Sequence, residues 1–213
     1  MFLNDPMSNS GCGCSSRSGN MDCPNFGPFL AVDAACISVT PPAAATGGSI
    51  IPFSSGITPV ALTSLVTGLI ATPSLIGFGT ATPGVTLVGE TLNLSGLVTE
   101  AFTVPRAGNI TGLSASFSAT LAVTLLGSTT VTATVYRAPA GSTTYTATTA
   151  TVNLAPAFAG AIALGATAFG SGSFAPIPVA AGDKLLMVYS ISTTGVTVAQ
   201  VLTGTASAGI TIE

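Results

Sequence analysis

Residues 131–136 read Val-Thr-Ala-Thr-Val-Tyr, and this regular alternation of apolar and small polar side chains decides the fold. An alternation with a period of two places successive side chains on opposite faces of a β-strand. Valine and threonine are β-branched and favour such a pleated surface. The same pattern recurs at residues 85–88, 91–94 and 101–104. The chain is therefore predicted to consist of short β-strands.

Glycine and proline residues separate these predicted strands at short intervals, as turns require. The turn signals are Pro83–Gly84, Gly89, Ala107–Gly108, Pro139–Ala–Gly141, Gly170–Ser–Gly172, Ala181–Gly182 and Gly195. Helical periodicity is limited to one turn near Leu62–Leu69. The threonine-rich strand face at Thr143–Thr149 is expected to point outward or toward another subunit. The predicted fold class is all-β, a β-sandwich or jelly roll.

The cysteines divide the chain into two parts. All four lie within the first 36 residues, and the prolines and glycines of Pro41–Gly48 read as a linker. We therefore expect a Cys-rich N-terminal arm and linker at residues 1–48 and one β-domain at residues 49–213. A body of about 170 residues can form its own core without metals or disulfides.

The composition excludes whole classes of function. Only 5% of the 213 residues are charged, and the four lysines and arginines are scattered, so no nucleic-acid partner is predicted. The most apolar stretch, Ile57–Phe78, is broken by prolines and glycines, so no membrane span is predicted. Because the chain has no histidine, it has neither a Ser-His-Asp nor a Cys-His nucleophile.

The few charged side chains suggest no catalytic site. Glu90 and Glu100 are better explained as solvated turn residues than as a catalytic pair, and Asp183–Lys184 as the cap of a turn. Arg106 and Arg137 are either solvated loop residues or interface residues that bind a carboxylate or carbonyls of a neighbouring subunit. No enzyme activity, catalytic residue, metal ligand or cofactor is predicted.

The cysteine spacing is C-x-C-x8-C-x12-C, formed by Cys12, Cys14, Cys23 and Cys36. It lacks the C-x2–4-C knuckles of a zinc site, although zinc binding or free thiols remain alternatives to disulfides. A disulfide between Cys12 and Cys14 would strain its ring. Each of these two thiols is therefore expected to pair farther away, within the arm or with another subunit.

Four segments of the body, in this order, resemble the C-terminal domain of the BclB-type exosporium glycoproteins of spore-forming bacilli. They are Ile50–Gly56, Ala101–Ile110, Gly182–Ser190 and Thr203–Ile212, and the resemblance covers about residues 49–213. It implies a jelly-roll domain of the tumour-necrosis-factor/C1q group that forms homotrimers at the spore surface. The collagen-like members of that family carry Gly-X-Y stalks, whereas this chain carries the Cys-rich arm.

The arm resembles the N-terminal connectors of endospore appendage pilins, which cross-link successive subunits by disulfides. That resemblance implies a structural subunit of a spore-surface fibre, with Cys12, Cys14, Cys23 and Cys36 as inter-subunit links. The apolar run of the arm is expected to seat the arm on the next subunit through Phe26, Phe29, Leu30 and Val32. The expected partners are further copies of the chain and other exosporium or anchor proteins.

The N-terminal sequence also bears on where the protein is made. Its first 20 residues contain no basic n-region followed by an apolar segment, so no Sec signal is predicted. This agrees with synthesis in the mother cell and a place on the spore surface, where disulfides form after lysis. The alternative function is a spore-surface adhesin or tip binding module that the arm merely anchors.

Overall fold

A computed structural model describes residues 48–65, 70–85, 91–95, 101–195 and 198–213. All of them lie within one compact unit, Thr46–Glu213. The strands are β1 Ser49–Ser54, β2 Val60–Ser64, β3 Ile70–Thr72, β4 Ser74–Ile76, β5 Ala81–Thr82, β6 Thr91–Asn93, β7 Phe102–Thr103, β8 Gly108–Ala119, β9 Val123–Ala138, β10 Thr144–Asn153, β11 Phe158–Ile162, β12 Thr167–Val179, β13 Lys184–Thr194 and β14 Val201–Ile212. Within these ranges the chain forms no helix.

The strands form two antiparallel sheets. The first sheet has the order β12-β8-β14-β2-β3, and β1 pairs with β14 beside β2. The second has the order β5-β4-β13-β9-β10-β6, with β11 paired to β9 and β7 to β13. Ser54 lies opposite Ser207 and Val60 opposite Gly204, so β1 and β2 follow one another along the same side of β14, interrupted by residues 55–59.

The connections between the sheets identify a jelly roll. The long strands alternate along the chain: β8, β12 and β14 belong to the first sheet, and β9 and β13 to the second. Strands that pair are therefore often distant in sequence, as β8 is from β14 and β9 from β13. These crossed connections are those of two Greek keys closed on each other. The predicted all-β jelly-roll sandwich is confirmed.

The main core fills the space between the two sheets, where the inward side chains of each strand meet. In β8 every second residue from Leu113 to Ala119 is buried, and in β14 the same holds from Leu202 to Ile212. The predicted strand at Val131–Tyr136 lies inside β9 and contributes Val131, Ala133 and Val135 to this core. The period-two alternation thus predicts correctly which side chains are inside.

A second apolar cluster lies on the outer face of the second sheet. Its buried members are Leu75, Val85, Leu92, Leu94, Tyr136, Ala138, Tyr145, Leu186 and Val188. It explains why Tyr145 is buried although the threonine side chains at positions 143, 144, 146 and 149 beside it are exposed, as predicted for Thr143–Thr149. Residues 91–94 lie at the edge of this sheet and cover part of its outer face.

Two local predictions are wrong. Residues 170–172, predicted as a turn, lie inside β12, because glycine here serves close packing. A Cβ on Gly170 would lie 2.7 Å from the Val152 side chain and 2.8 Å from the Asn153 carbonyl oxygen. The helical turn expected from Leu62 is a β-strand as far as Ser64, because Leu62 pairs with Leu202; residues 66–69 lie outside the described ranges.

Other turn predictions are confirmed. Gly141, Gly182 and Gly195 each have a positive φ between strands, a conformation that glycine adopts without steric cost.

The predicted strand at 101–104 is shortened to β7, which ends before Pro105. The strand expected at 85–88 has only Val85 in the described part of the chain, outside any strand. None of the described segments forms a helix that could cross a membrane.

Candidate assembly interface

The outward face of the first sheet consists almost entirely of small polar residues. The alternation that points Leu113, Ala115 and Phe117 into the core points their neighbours outward. We call this surface the serine face, and its residues are Gly112, Ser114, Ser116, Ser118, Ser171, Ser173, Thr205, Ser207, Gly209 and Thr211. It spans three adjacent strands, β12, β8 and β14.

The strand register places the small side chains of the serine face in rows across the sheet. In one row Ser114 has Ser171 opposite it on one side and Gly209 on the other. In the next, the hydroxyl oxygens of Ser116 and Ser207 lie 2.9 Å apart, within hydrogen-bonding distance. The result is a shallow depression of about 580 Å³.

Apolar residues border this depression on both sides. Phe169 on β12 is 72% exposed, and Ile50 on β1 is 74% exposed. Pro52, also exposed, pairs with Gly209 and lines the depression. A polar floor of small side chains between two apolar rims lets another protein surface approach the sheet closely, since no long side chain has to be displaced.

A buried tyrosine supports the serine face from below. Tyr189 belongs to the second sheet and crosses the core, so that its hydroxyl oxygen lies 2.7 Å from the carbonyl oxygen of Ser207 and 3.2 Å from that of Ser116. Burial raises the pKa of Tyr189, and the hydroxyl therefore stays protonated and can donate. This contact fixes β8 and β14 from inside the sandwich.

The serine face presents only hydroxyl groups and glycines. None of its residues is charged, and no group of three or more potential metal ligands occurs in the described ranges. Sequence reasoning missed the face, although a signal was present. In Ser114–Ala–Ser–Phe–Ser118 and Thr205–Ala–Ser–Ala–Gly209, small polar residues occupy every outward position.

Arg137 lies near the end of β9, where it forms an ion pair within the chain. Its Nε donates to Oδ2 of Asp183 at 2.7 Å, and its Nη1 donates to the carbonyl oxygen of Pro178 at 3.1 Å. The same Asp183 oxygen accepts the backbone N–H of Ala180 at 2.8 Å. Asp183 therefore caps the turn before β13, as predicted. The guanidinium group is engaged inside its own subunit, and an interface role for Arg137 remains a prediction.

Two opposing effects set the pKa of Asp183. Burial alone would raise it, but the hydrogen bonds from Ala180 and Arg137 and the positive charge of Arg137 outweigh burial. The pKa of Asp183 is therefore held below its ordinary value. The carboxylate stabilises the folded state wherever it is ionised.

Replacing Asp183 by asparagine is expected to lower the free energy of unfolding at pH 7 by about 1–2 kcal/mol, because a charged hydrogen-bond partner of Arg137 is lost. Because the folded pKa lies below the unfolded value of about 3.9, the difference from wild type should be constant above that pH and shrink as the pH falls through the folded value. Chemical denaturation at pH 7 and pH 3 measures this. An equal difference in unfolding free energy between variant and wild type at both pH values would contradict a lowered pKa of Asp183.

The other predicted site residues are placed as follows. Arg106 is exposed, and its guanidinium donates to the Ser49 hydroxyl at 3.1 Å, beside the start of β1. Its role at an interface is likewise still a prediction. The four arm cysteines, the apolar run Phe26–Val32, Glu90 and Glu100 lie outside the described residues. Their predicted roles are untested by the structure.

Comparison with known proteins gives one relative in sequence and a structural likeness. No family model matches the chain. Collagen-like protein 1 of Acanthamoeba polyphaga mimivirus is 32% identical over 176 residues, which covers 78% of this chain. This chain spans only 19% of that protein's length. A solved structure of Eiger TNF from S. frugiperda has a TM-score of 0.38 at 9% identity, covering 78% of this chain and 93% of that one.

Proposed function

We propose that this protein is a structural subunit of a bacterial spore-surface fibre. Trimeric jelly-roll bodies are joined head to tail by their N-terminal arms and by disulfides between Cys12, Cys14, Cys23 and Cys36 of successive subunits. The serine face is the observation that carries the proposal, because an open, uncharged sheet face of small side chains suits association with further copies. Heterologous head-to-tail contacts produce open filaments rather than closed rings.

One comparison and one resemblance support a structural role. The relative in mimivirus is named as a collagen-like protein, which agrees with a body domain attached to an extended element. The resemblance to BclB-type exosporium domains supports a place on the spore surface and partners among exosporium or anchor proteins. In this chain the Cys-rich arm takes the position of the stalk.

In the proposed trimer the serine face is buried against the neighbouring body. The exposed Phe169 and Ile50 side chains at its rims would then leave water. Each large apolar side chain fully buried in this way stabilises by about 1.5–3 kcal/mol. The lack of charge also means that burying the face leaves no unpaired ion behind.

Replacing Ser114 by glutamate is expected to dissociate the trimer, because it buries a charge in the middle of a face that itself contains no basic residue. The matched control is Ser192→Glu, since Ser192 lies in β13 and points outward from the second sheet. Analytical ultracentrifugation of both full-length variants in reducing buffer gives the mass. The account is contradicted if Ser114→Glu stays trimeric or if both variants dissociate alike.

Electron microscopy of the purified full chain under oxidising conditions tests the fibre itself. We expect long filaments that resist either detergent or reductant alone and come apart in both together. Discrete trimers that never elongate would instead favour the adhesin, in which the arm anchors a terminal binding module. A spore lacking the protein should lose a class of surface filament.

A further inference from the structure

Six large aliphatic side chains are exposed together at one end of the sandwich. Each is 45–71% exposed, and they are Leu65, Leu121, Leu126, Leu164, Val198 and Val201. We call this surface the aliphatic end. Scattered single exposed leucines are ordinary, but six at one end form a patch of roughly several hundred Å², the size of the largest apolar patches on monomers, which often have a function.

A buried hydrogen-bond network joins the loops on one side of the aliphatic end. The backbone N–H of Gln200 donates to the Ser64 hydroxyl at 3.0 Å, and the backbone N–H of Ser64 donates to the Gln200 carbonyl oxygen at 3.0 Å. The Gln200 side-chain oxygen accepts the N–H of Leu126 at 3.1 Å. Leu65, Leu126 and Val201 are therefore carried by segments that are bonded to one another.

Backbone bonds complete the patch on the other side of β14. The N–H of Thr120 donates to the carbonyl oxygen of Thr203 at 3.0 Å, and the N–H of Gly165 donates to the carbonyl oxygen of Ala119 at 2.8 Å. These bonds hold the turns after β8 and after β11 beside the start of β14. The leucines of both turns thus join the same surface.

The charged residues of the described ranges lie at the opposite end of the sandwich. These are Arg106, Arg137, Asp183, Lys184 and Glu213. They cluster at the end of the sandwich where Ser49 pairs with Ile212. Asp183 lies at this end too, since its carbonyl oxygen accepts the N–H of Val104, two residues before Arg106. Residues 66–69 and 196–197, which adjoin the aliphatic end in sequence, contain no charged residue, whereas Glu90 and Glu100 lie outside the described ranges. Among the described residues, the end at which β1 begins is charged, and the far end is apolar.

We propose that the aliphatic end binds the apolar run 26–32 of the next subunit in the fibre. This rests on the proposed function, in which bodies stack head to tail. Stacking brings the aliphatic end of one body against the charged end of the next, and aliphatic side chains gain nothing from direct contact with charges. The run Phe26–Gly–Pro–Phe–Leu–Ala–Val32 has no charge. In the stack it would extend from the charged end of its own body onto the aliphatic end of the neighbouring body. It matches the surface in chemistry.

The reach of the arm favours the neighbour over the same chain. Roughly 16 residues separate Val32 from Ser49, and even when fully extended they span at most about 53–58 Å. β14 runs from one end of the sandwich to the other, and its 12 residues span about 40 Å. A subunit's own run would have to cross that length, whereas a stacked neighbour delivers its run directly.

Site-directed cross-linking tests the assignment in the full chain. All four cysteines are replaced by serine, and new cysteines are introduced by Ala31→Cys and Ala163→Cys; Ala163 is exposed next to Leu164. The matched control combines Ala31→Cys with Ala181→Cys, an exposed alanine at the charged end. Isotope-labelled and unlabelled chains are mixed before assembly and oxidation. Mass spectrometry then quantifies the linked peptides, and microscopy records whether filaments are present.

The result expected is a 31–163 link that joins labelled to unlabelled chains, at least about tenfold more abundant than the 31–181 link. A 31–163 link within one chain, an equal yield at position 181, or no link at all would overturn the assignment. If filaments form and the link is elsewhere, only the docking site is wrong. If no filaments form under any oxidising condition, including with the native cysteines, the proposed function fails as well.

A charge placed on the aliphatic end gives an independent measurement. Leu164→Glu should raise the concentration needed for filament formation by about tenfold or more, because the carboxylate would be buried beneath the docked run. Ile57→Glu is the control, since Ile57 is fully exposed in the loop between β1 and β2. Equal effects of the two variants would count against the docking site.

Discussion

Replacing Gly204 by alanine is expected to lower the free energy of unfolding by about 3 kcal/mol or more, the upper range for overpacking a core. A Cβ at this position would lie 2.3 Å from the Ser118 carbonyl oxygen and 2.4 Å from the Phe117 ring. Gly204 sits in β14 between β8 and β2, so neither backbone can move away without breaking sheet pairing. Urea denaturation of the cysteine-free full chain measures the loss.

Gly209 provides the matched control for this prediction. It lies in the same strand, but a Cβ there would meet only the Ile50 side chain at 3.8 Å, an ordinary contact. Because Gly209 belongs to the serine face, both variants are compared at concentrations where the bodies are dissociated. There Gly209→Ala should change stability little, or raise it by up to about 1 kcal/mol through the lower entropy of the unfolded chain. Equal losses at both positions would show that the close approach of Phe117 and Ser118 to Gly204 is not what constrains the strand.

Deleting residues 1–40 is expected to abolish filament formation while leaving a folded, trimeric body. The deletion removes both the four cysteines and the apolar run, whereas the main-core residues that the structure describes all lie between Ile51 and Ile212. Electron microscopy and ultracentrifugation of the truncated chain check the two halves of this statement. Circular dichroism would show an unchanged β-sheet spectrum.

Replacing the four cysteines by serine separates the two contributions of the arm. Phe26, Phe29, Leu30 and Val32 remain in that variant, so filaments should still assemble but dissociate in hot detergent. Filaments from the truncated chain would contradict the role of the arm. Detergent-resistant filaments from the cysteine-free chain would contradict the disulfide links.

The sequence predicted the sandwich because its strands alternate regularly. Around Val131–Tyr136 every inward side chain is apolar and every outward one is polar or belongs to the second cluster, so the period alone assigns the faces. Turn glycines with a positive φ, such as Gly141 and Gly182, were equally visible. Local chemistry determines both features, and they need no knowledge of distant partners.

Features that depend on distant partners could not be predicted in this way. Gly170 looked like a turn residue because the close approach of Val152 and Asn153 arises only when β10 and β12 meet in the fold. The apolar spacing that begins at Leu62 resembled that of a helix. Its strand partner, Leu202, could not be foreseen because it lies far along the chain. The aliphatic end likewise gathers leucines and valines from separate loops.

The serine face is an intermediate case. Its alternating Ser, Ala and Gly residues can be read directly from β8 and β14, but their placement in rows requires the register between the strands. Ser116 and Ser207 are 91 residues apart in sequence, yet their hydroxyl oxygens lie 2.9 Å from each other. Sequence could supply the residues of the face but not its shape.

Denaturing gels of the assembled protein, run with and without reductant, test the central claim most directly. If neighbouring subunits are joined by the arm cysteines, boiling in detergent without reductant should leave a ladder of multimers and material too large to enter the gel. Adding reductant should convert all of it to a single band near 20.7 kDa. A 20.7 kDa band already present as the main species without reductant would contradict covalent assembly.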